Sequence, residues 1–239
     1  MAIVSNTVAY MDGDVVLEAF FAFDDALSGR RPAVLINHTW VGRDDFVAGK
    51  AEKLAALGYV GFAVDMYGKG VLGSGPEENM KLMQPFMADR AMLQQRMKAA
   101  LAAVKLMPWV DDSKIASIGF CFGGLCSLDL ARTGVDIKGV VSFHGLLAAP
   151  GNTLGNPIKA KVLALHGRDD PLVPAEQVLA FEQEMTEAGA DWQLHTYGNT
   201  MHGFTNPVAN DPSFGTVYQP DADRRSWIAM QNFLTEIFA

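Results

Sequence analysis

Three stretches of this sequence could supply a nucleophile, an acid and a base. The first is SIGFCFGGLC, Ser117 to Cys126, in which one cysteine is bracketed by glycines. Gly119 and Gly123 stand two residues either side of Cys121, and Gly124 follows. A nucleophile carried on a sharp strand-to-helix turn needs small neighbours at that spacing, the pattern G-x-Nuc-x-G. The turn sets the thiol at the start of the following helix, whose positive end favours thiolate. The backbone N–H of Phe122 then points to the same place and can form half of an oxyanion hole. Taken alone, the spacing also fits a buried free cysteine packed among glycines. The order of the next two stretches favours chemistry.

The second stretch is ALHGRDDPLVP, where a strand ends and a loop delivers two acids, Asp169 and Asp170. Asp170, four residues before Pro174, is the preferred acid, and the other aspartate then only caps a turn. The third is YGNTMHGFTN, which carries His202 after the last strand. The order Cys121, Asp170, His202 is nucleophile, acid, base. His195 reads as structural, while His144 and His166 end strands near the site. A metal centre from His38, His166 and His202 has no compact ligand spacing, so neither metal nor cofactor is expected. Cys121 and Cys126 lack the C-x-x-C spacing of disulfide exchange.

Alternating strands and helices must position these residues. The N-terminal segment predicts an antiparallel edge hairpin turning at Asp12-Gly13. Strands are expected at Arg31–His38, Val60–Tyr67 and Lys114–Phe120, and in IKGVVSFHG, AKVLALHG and WQLHTYG. Helices are expected at Asp44–Tyr59, from Phe86 to Met107, from Cys121 onward, in AEQVLAFEQEMTEAG, and from Asp221 to the end. A loop occupies Gly68 to Glu78. Near-continuous apolar strands such as Val34–Ile36 and Val162–Leu165 indicate a parallel sheet covered on both faces. No linker divides the chain, so residues 1–239 read as a single doubly wound α/β domain.

Composition narrows the function. The 239 residues are 49% hydrophobic and 19% charged, with 19 basic and 27 acidic side chains and a net charge of -8. There is no basic stripe for nucleic acid and no cationic surface for anionic membrane. No apolar run spans a bilayer, and the start lacks a secretory pattern. Two cysteines make no disulfide framework. A cytoplasmic enzyme, monomer or homodimer, acting on a small molecule is expected.

The stretches GFCFGG (Gly119–Gly124), HGRDDPLVP (His166–Pro174) and HGF (His202–Phe204) resemble the dienelactone hydrolase family of α/β-hydrolases. VDMYGKG (Val64–Gly70) looks like the family's loop after its second central strand. The resemblance runs from about Arg31 to the C-terminus. It implies an α/β-hydrolase fold without a large lid domain and a triad of Cys121, Asp170 and His202. It also implies cleavage of an ester or lactone through an acyl-cysteine, with the N–H groups of Phe122 and Trp40 holding the oxyanion. Trp40, Tyr67, Phe122, His144 and Phe204 are expected to line the substrate pocket. The sequence departs from the family in three places. Thr39 stands at or near a family glutamate that contacts the resting thiol. Lys69 and Asn206 stand where the family has two arginines that hold a substrate carboxylate. Lysine is a point charge without the arginine fork, so dienelactone itself is not the expected substrate. An acyltransferase or thioesterase on the same triad, or a binding protein on this fold, are the alternative readings.

Overall fold

The structure, a computed structural model, describes residues 2–239. Its contacts gather into two compact units, Met1–Ile118 and Gly119–Ala239.

The first unit opens with the expected hairpin, β1 (Ile3–Asp12) and β2 (Val15–Asp24), which turns through Gly13 at φ 57°. β2 runs antiparallel to β4 (Val60–Ala63), and β4 runs parallel to β3 (Arg31–Asn37). The order within this unit is β1-β2-β4-β3-β5, where β5 spans Val110–Phe120. The crossover from β3 to β4 is α1 (Asp45–Ala56), capped by Asp44, whose carboxylate accepts from the Val47 N–H. α1 lies so close on β4 that a Cβ at Gly61 would sit 2.4 Å from the Ala51 carbonyl oxygen. Val34, Leu35, Ile36, Val60 and Phe62 are fully buried, as near-continuous apolar strands require.

Two expectations are corrected here. The strand read as Val60–Tyr67 ends at Ala63. Asp65 turns the chain instead, its Oδ1 accepting from the N–H groups of Tyr67 (3.0 Å) and Gly68 (2.9 Å). The single helix read from Phe86 to Met107 is two helices, α2 (Pro76–Ala88) and α3 (Arg90–Lys105). Pro85 lies in the last turn of α2. The break falls at Asp89, whose φ of -120° and ψ of 89° are not helical and whose carboxylate caps α3 through the Met92 N–H. A capping aspartate competes with helix continuation because its side chain replaces a backbone acceptor.

The second unit holds the parallel strands β6 (Gly139–Phe143), β7 (Lys161–Gly167) and β8 (Trp192–Tyr197). Around them lie α4 (Phe122–Arg132), α5 (Ala175–Glu187) and α6 (Pro220–Ile237). Every residue of α4 is buried. Its last residue, Arg132, is 1% exposed and pairs with Asp129 (3.1 Å) and Glu184 (2.6 Å) while donating to the Leu147 carbonyl. This ties α4 to α5, and its donors are satisfied as a buried guanidinium requires. A short pair the sequence reading did not anticipate, β9 (Asn210–Asp211) and β10 (Thr216–Val217), follows His202. Among the described residues no helix is long and apolar enough to cross a membrane.

Candidate active site

β5 ends at Phe120, and the chain turns into α4 at Cys121, which adopts φ 56° and ψ -118°. A positive φ is rare for a residue with a Cβ and persists only where the surroundings enforce it. The enforcing contacts are visible. The Cys121 N–H donates to the Phe143 carbonyl at 3.0 Å, and the Cys121 carbonyl accepts from Gly124 at 2.9 Å. Gly119 admits the returning helix, because a Cβ there would lie 1.9 Å from the Gly123 carbonyl oxygen. Gly124 lets α4 approach β6, because a Cβ there would lie 2.5 Å from Ser142 Oγ. Phe122 occupies the first helical position, so its N–H belongs to the turn that offers donors at a helix N-terminus. Its ring is buried.

Asp170 and His202 meet within this unit. His202 Nδ1 donates to Asp170 Oδ2 at 2.7 Å, with both side chains buried. Asp170 Oδ1 accepts from the Leu172 N–H, which holds the carboxylate in place. The neighbouring Asp169 is exposed. The short β-pair clamps the histidine: its N–H donates to Gly215, and its carbonyl accepts from Val217. This support had no sequence signal beyond Gly215, because two-residue strands carry no readable period. The other ring nitrogen, Nε2, is buried without a hydrogen bond of standard geometry. The Cys121 sulfur acts on the ring at looser range, an arrangement that commonly tightens when substrate binds. Burial works against the imidazolium. The charge on Cys121 and the hydrogen bond to Asp170 outweigh it and raise the His202 pKa to about 10.

His144 packs edge-on against His202, with ring centroids 5.1 Å apart, and against Phe204 at 5.0 Å. Its backbone is also at positive φ, 39°, and its Nε2 meets Thr205 Oγ1 at 2.8 Å. Phe204 is fully buried and also faces Tyr197. Asn206 Oδ1 accepts from the Val208 N–H. His166 is buried at the end of β7, where burial lowers its pKa against the pull of Asp170. Among the described residues, no group of three or more His, Cys, Asp or Glu side chains could hold a metal ion.

The remaining expected site residues lie in the first unit. The Tyr67 hydroxyl donates to the Trp40 carbonyl at 3.0 Å, and its ring stands edge-on to His38. Thr39 Oγ1 accepts from the Val41 N–H at 3.4 Å. Lys69 forms an ion pair with Glu18 at 2.9 Å, and Arg43 reaches the same carboxylate at 3.3 Å. Glu18 is a residue the sequence reading passed over. It sits on a strand, 51 positions before Lys69 in the chain (69 - 18), where spacing gives no hint of contact. The hydrogen bond from Lys69, then the charges of Lys69 and Arg43, hold the Glu18 carboxyl below its usual range.

His38 has a fixed tautomer. Nδ1 donates to the Thr39 carbonyl and Nε2 accepts from the Met66 N–H, so a second ring proton would meet a donor. Burial pushes its pKa down to about 4, against the Thr39 carbonyl and Asp65. The unfolded chain takes up this proton near pH 6.5 and the folded chain only near 4. Stability linked to His38 is therefore complete above pH 6.5 and lost as pH falls toward 4, on the order of 3 kcal/mol in total. Chemical denaturation of His38→Gln between pH 7 and pH 4 should give a flatter acid limb than the wild type. Equal slopes would exclude His38 as its source.

Comparisons with known proteins show the family and the fold. The dienelactone hydrolase family model matches residues 17–238. A solved dienelactone hydrolase-like promiscuous phosphotriesterase from metagenomic libraries is 38% identical, with a TM-score of 0.93 over 100% of both chains. A Caenorhabditis elegans protein, K02A2.1, is 40% identical over 62% of this chain and 95% of its own length. A Yersinia pestis protein provisionally named carboxymethylenebutenolidase is 25% identical over 92% of this chain and 84% of its own. The chain belongs to the dienelactone hydrolase family. It is a hydrolase of the α/β-hydrolase fold, with a mostly parallel sheet, flanking helices and no lid domain.

Proposed function

We propose that this chain hydrolyses a small ester or lactone through an acyl-cysteine intermediate on Cys121, working as a single catalytic domain without metal or cofactor. The observation that carries the reading is the coincidence, in one unit, of a strained cysteine heading a buried helix and a buried histidine–aspartate pair at 2.7 Å. His202 takes the thiol proton and forms the imidazolium that its raised pKa favours. The thiolate attacks the carbonyl carbon, and the oxyanion is received by the Phe122 N–H. The imidazolium then protonates the departing alkoxide, and the neutral ring activates water to cleave the thioester. Asp170 orients the ring and stabilises its charge throughout.

Lys69 is already paired with Glu18, which supports an uncharged substrate in place of the carboxylate-bearing dienelactone. The 38% identical relative described as a promiscuous phosphotriesterase gives a second electrophile of the same kind, an uncharged phosphotriester attacked by the same sulfur.

The test is Asp170→Asn assayed with short-chain aryl esters and simple lactones. The variant should keep its fold and lose roughly 10²–10⁴-fold in kcat, since an asparagine holds the wrong tautomer. Full activity in that variant would overturn the assignment of Asp170. Intact mass after brief mixing with substrate should show one acyl adduct in the wild type.

A further inference from the structure

The chain carries a second feature that the hydrolase reading leaves unused, the outer edge of β1. β1 is ten residues long and terminates the strand order of its sheet. Its pairing with β2 closes at Asp12↔Val15 around a two-residue turn, which makes that pair hydrogen-bonded. Alternation then turns the N–H and C=O groups of Ile3, Ser5, Thr7, Ala9 and Met11 away from β2. The Thr7 N–H is consistent with this, donating to the side chain of its own neighbour, Asn6, at 2.8 Å.

Edge strands of soluble proteins are normally blunted by lysine, proline, a bulge or a cover. IVSNTVAYMD contains no lysine, arginine or proline, and its pairing with β2 runs unbroken for ten pairs. Beside it lies an apolar groove of about 620 Å³, lined by Val8 and Met11 of β1 and by Ala103, Leu106 and Trp109. Leu106 on its rim is 85% exposed and Met11 is 54% exposed. Isolated exposed side chains are ordinary, but here they flank an open edge.

We propose that this edge is a homodimer interface, in which β1 of one chain pairs antiparallel with β1 of a second copy. Charge selects that occupant. The chain carries a net charge of -8, so two copies repel unless they meet on an uncharged face. The one charge on β1, Asp12, is held by Arg96 at 2.7 Å. In an antiparallel pair centred on Val8, outward-facing Thr7 meets outward-facing Ala9 of the second copy, and the two Asp12 residues lie at opposite ends, each facing Val4 of the other chain. The contact is self-complementary, as a two-fold interface requires. The shared edge is about 34 Å long at ~3.4 Å per residue. Side chains of the incoming strand fill the groove, bringing the buried surface toward the roughly 800 Å² per partner of a stable dimer.

Light scattering coupled to gel filtration, on the full chain at micromolar concentration, should give twice the 25.8 kDa chain mass. Thr7→Pro removes an outward N–H and leaves the β1–β2 hydrogen bonds in place. Leu106→Glu puts charge on the groove rim at an exposed position and keeps the fold even if the proline variant does not. Each folded variant should run at the monomer mass and, unlike the wild type, melt at a temperature independent of concentration. A monomeric wild type, which would leave the edge to a different partner, overturns the proposal. So does a dimer that survives either substitution in folded protein.

Discussion

Alanine at position 121 is expected to lower kcat/KM for an aryl ester by at least about 10³-fold, leaving only what the oxyanion donor and substrate binding contribute. The reason is specific to a covalent route. No other thiol is placed to attack, because Cys126 is buried inside α4. Water attacking directly would lack the covalent step that divides the reaction. The variant should stay folded, since losing one sulfur from a partly exposed position creates no enclosed cavity. Initial rates with wild type and Cys121→Ala, with circular dichroism on both, decide it. A variant within tenfold of the wild type would mean that the sulfur is not the nucleophile. Iodoacetamide adds an independent readout. It should label wild-type Cys121 faster than Cys121 in His202→Ala, because the imidazolium holds the thiolate. Equal labelling would break the link between the two residues.

The second large effect is structural. Gly119→Ala places a methyl 1.9 Å from the Gly123 carbonyl oxygen and 2.2 Å from its carbon. Both atoms are backbone in the first turn of α4, so no side chain can swing aside. Overpacking of this kind destabilises by about 3 kcal/mol or more, and in a chain of this size that lowers Tm by roughly 6–12 °C. Activity should fall as well, because relief of the clash moves Cys121. The control is Gly49→Ala in α1, where the added methyl meets nothing within 4 Å. There the exchange should stabilise by about 0.5–1 kcal/mol, since alanine favours a helix interior. Thermal melts of the two variants should move in opposite directions. A Gly119→Ala melt at the wild-type temperature would mean that the elbow is not as tight as the contact distance implies.

The parts of this molecule that were legible in the sequence share one property: they are local. The elbow was readable because its constraint lies within five consecutive residues, Gly119 to Gly123. Strands buried on both faces showed as apolar runs, and the hairpin showed as a turn at Asp12-Gly13. The reading of one helix from Phe86 to Met107 failed at Asp89. Asp89 ended α2 through its ψ of 89° and its cap on Met92, which composition does not display. Contacts distant in the chain were not legible at all. Glu18 between Lys69 and Arg43 and the His144 ring on His202 depend on topology. No spacing rule joins them.

One tie described above bears on the order in which the chain assembles. The Asp65 carboxylate that turns the chain after β4 also accepts from the Glu18 N–H at 3.0 Å, while the Tyr10 hydroxyl donates to the Asp65 carbonyl at 2.9 Å. Partners 55 residues apart close a far larger loop than the hairpin's two-residue turn, and loop closure costs more entropy as length grows. During synthesis β1 and β2 leave the ribosome before β4 and can zip together at once. They stay undocked until residues up to Asp65 have followed. For those seconds, at roughly 5–20 residues added per second, the hairpin's apolar face has no core to rest on. The Asp65 tie is the step that ends this interval.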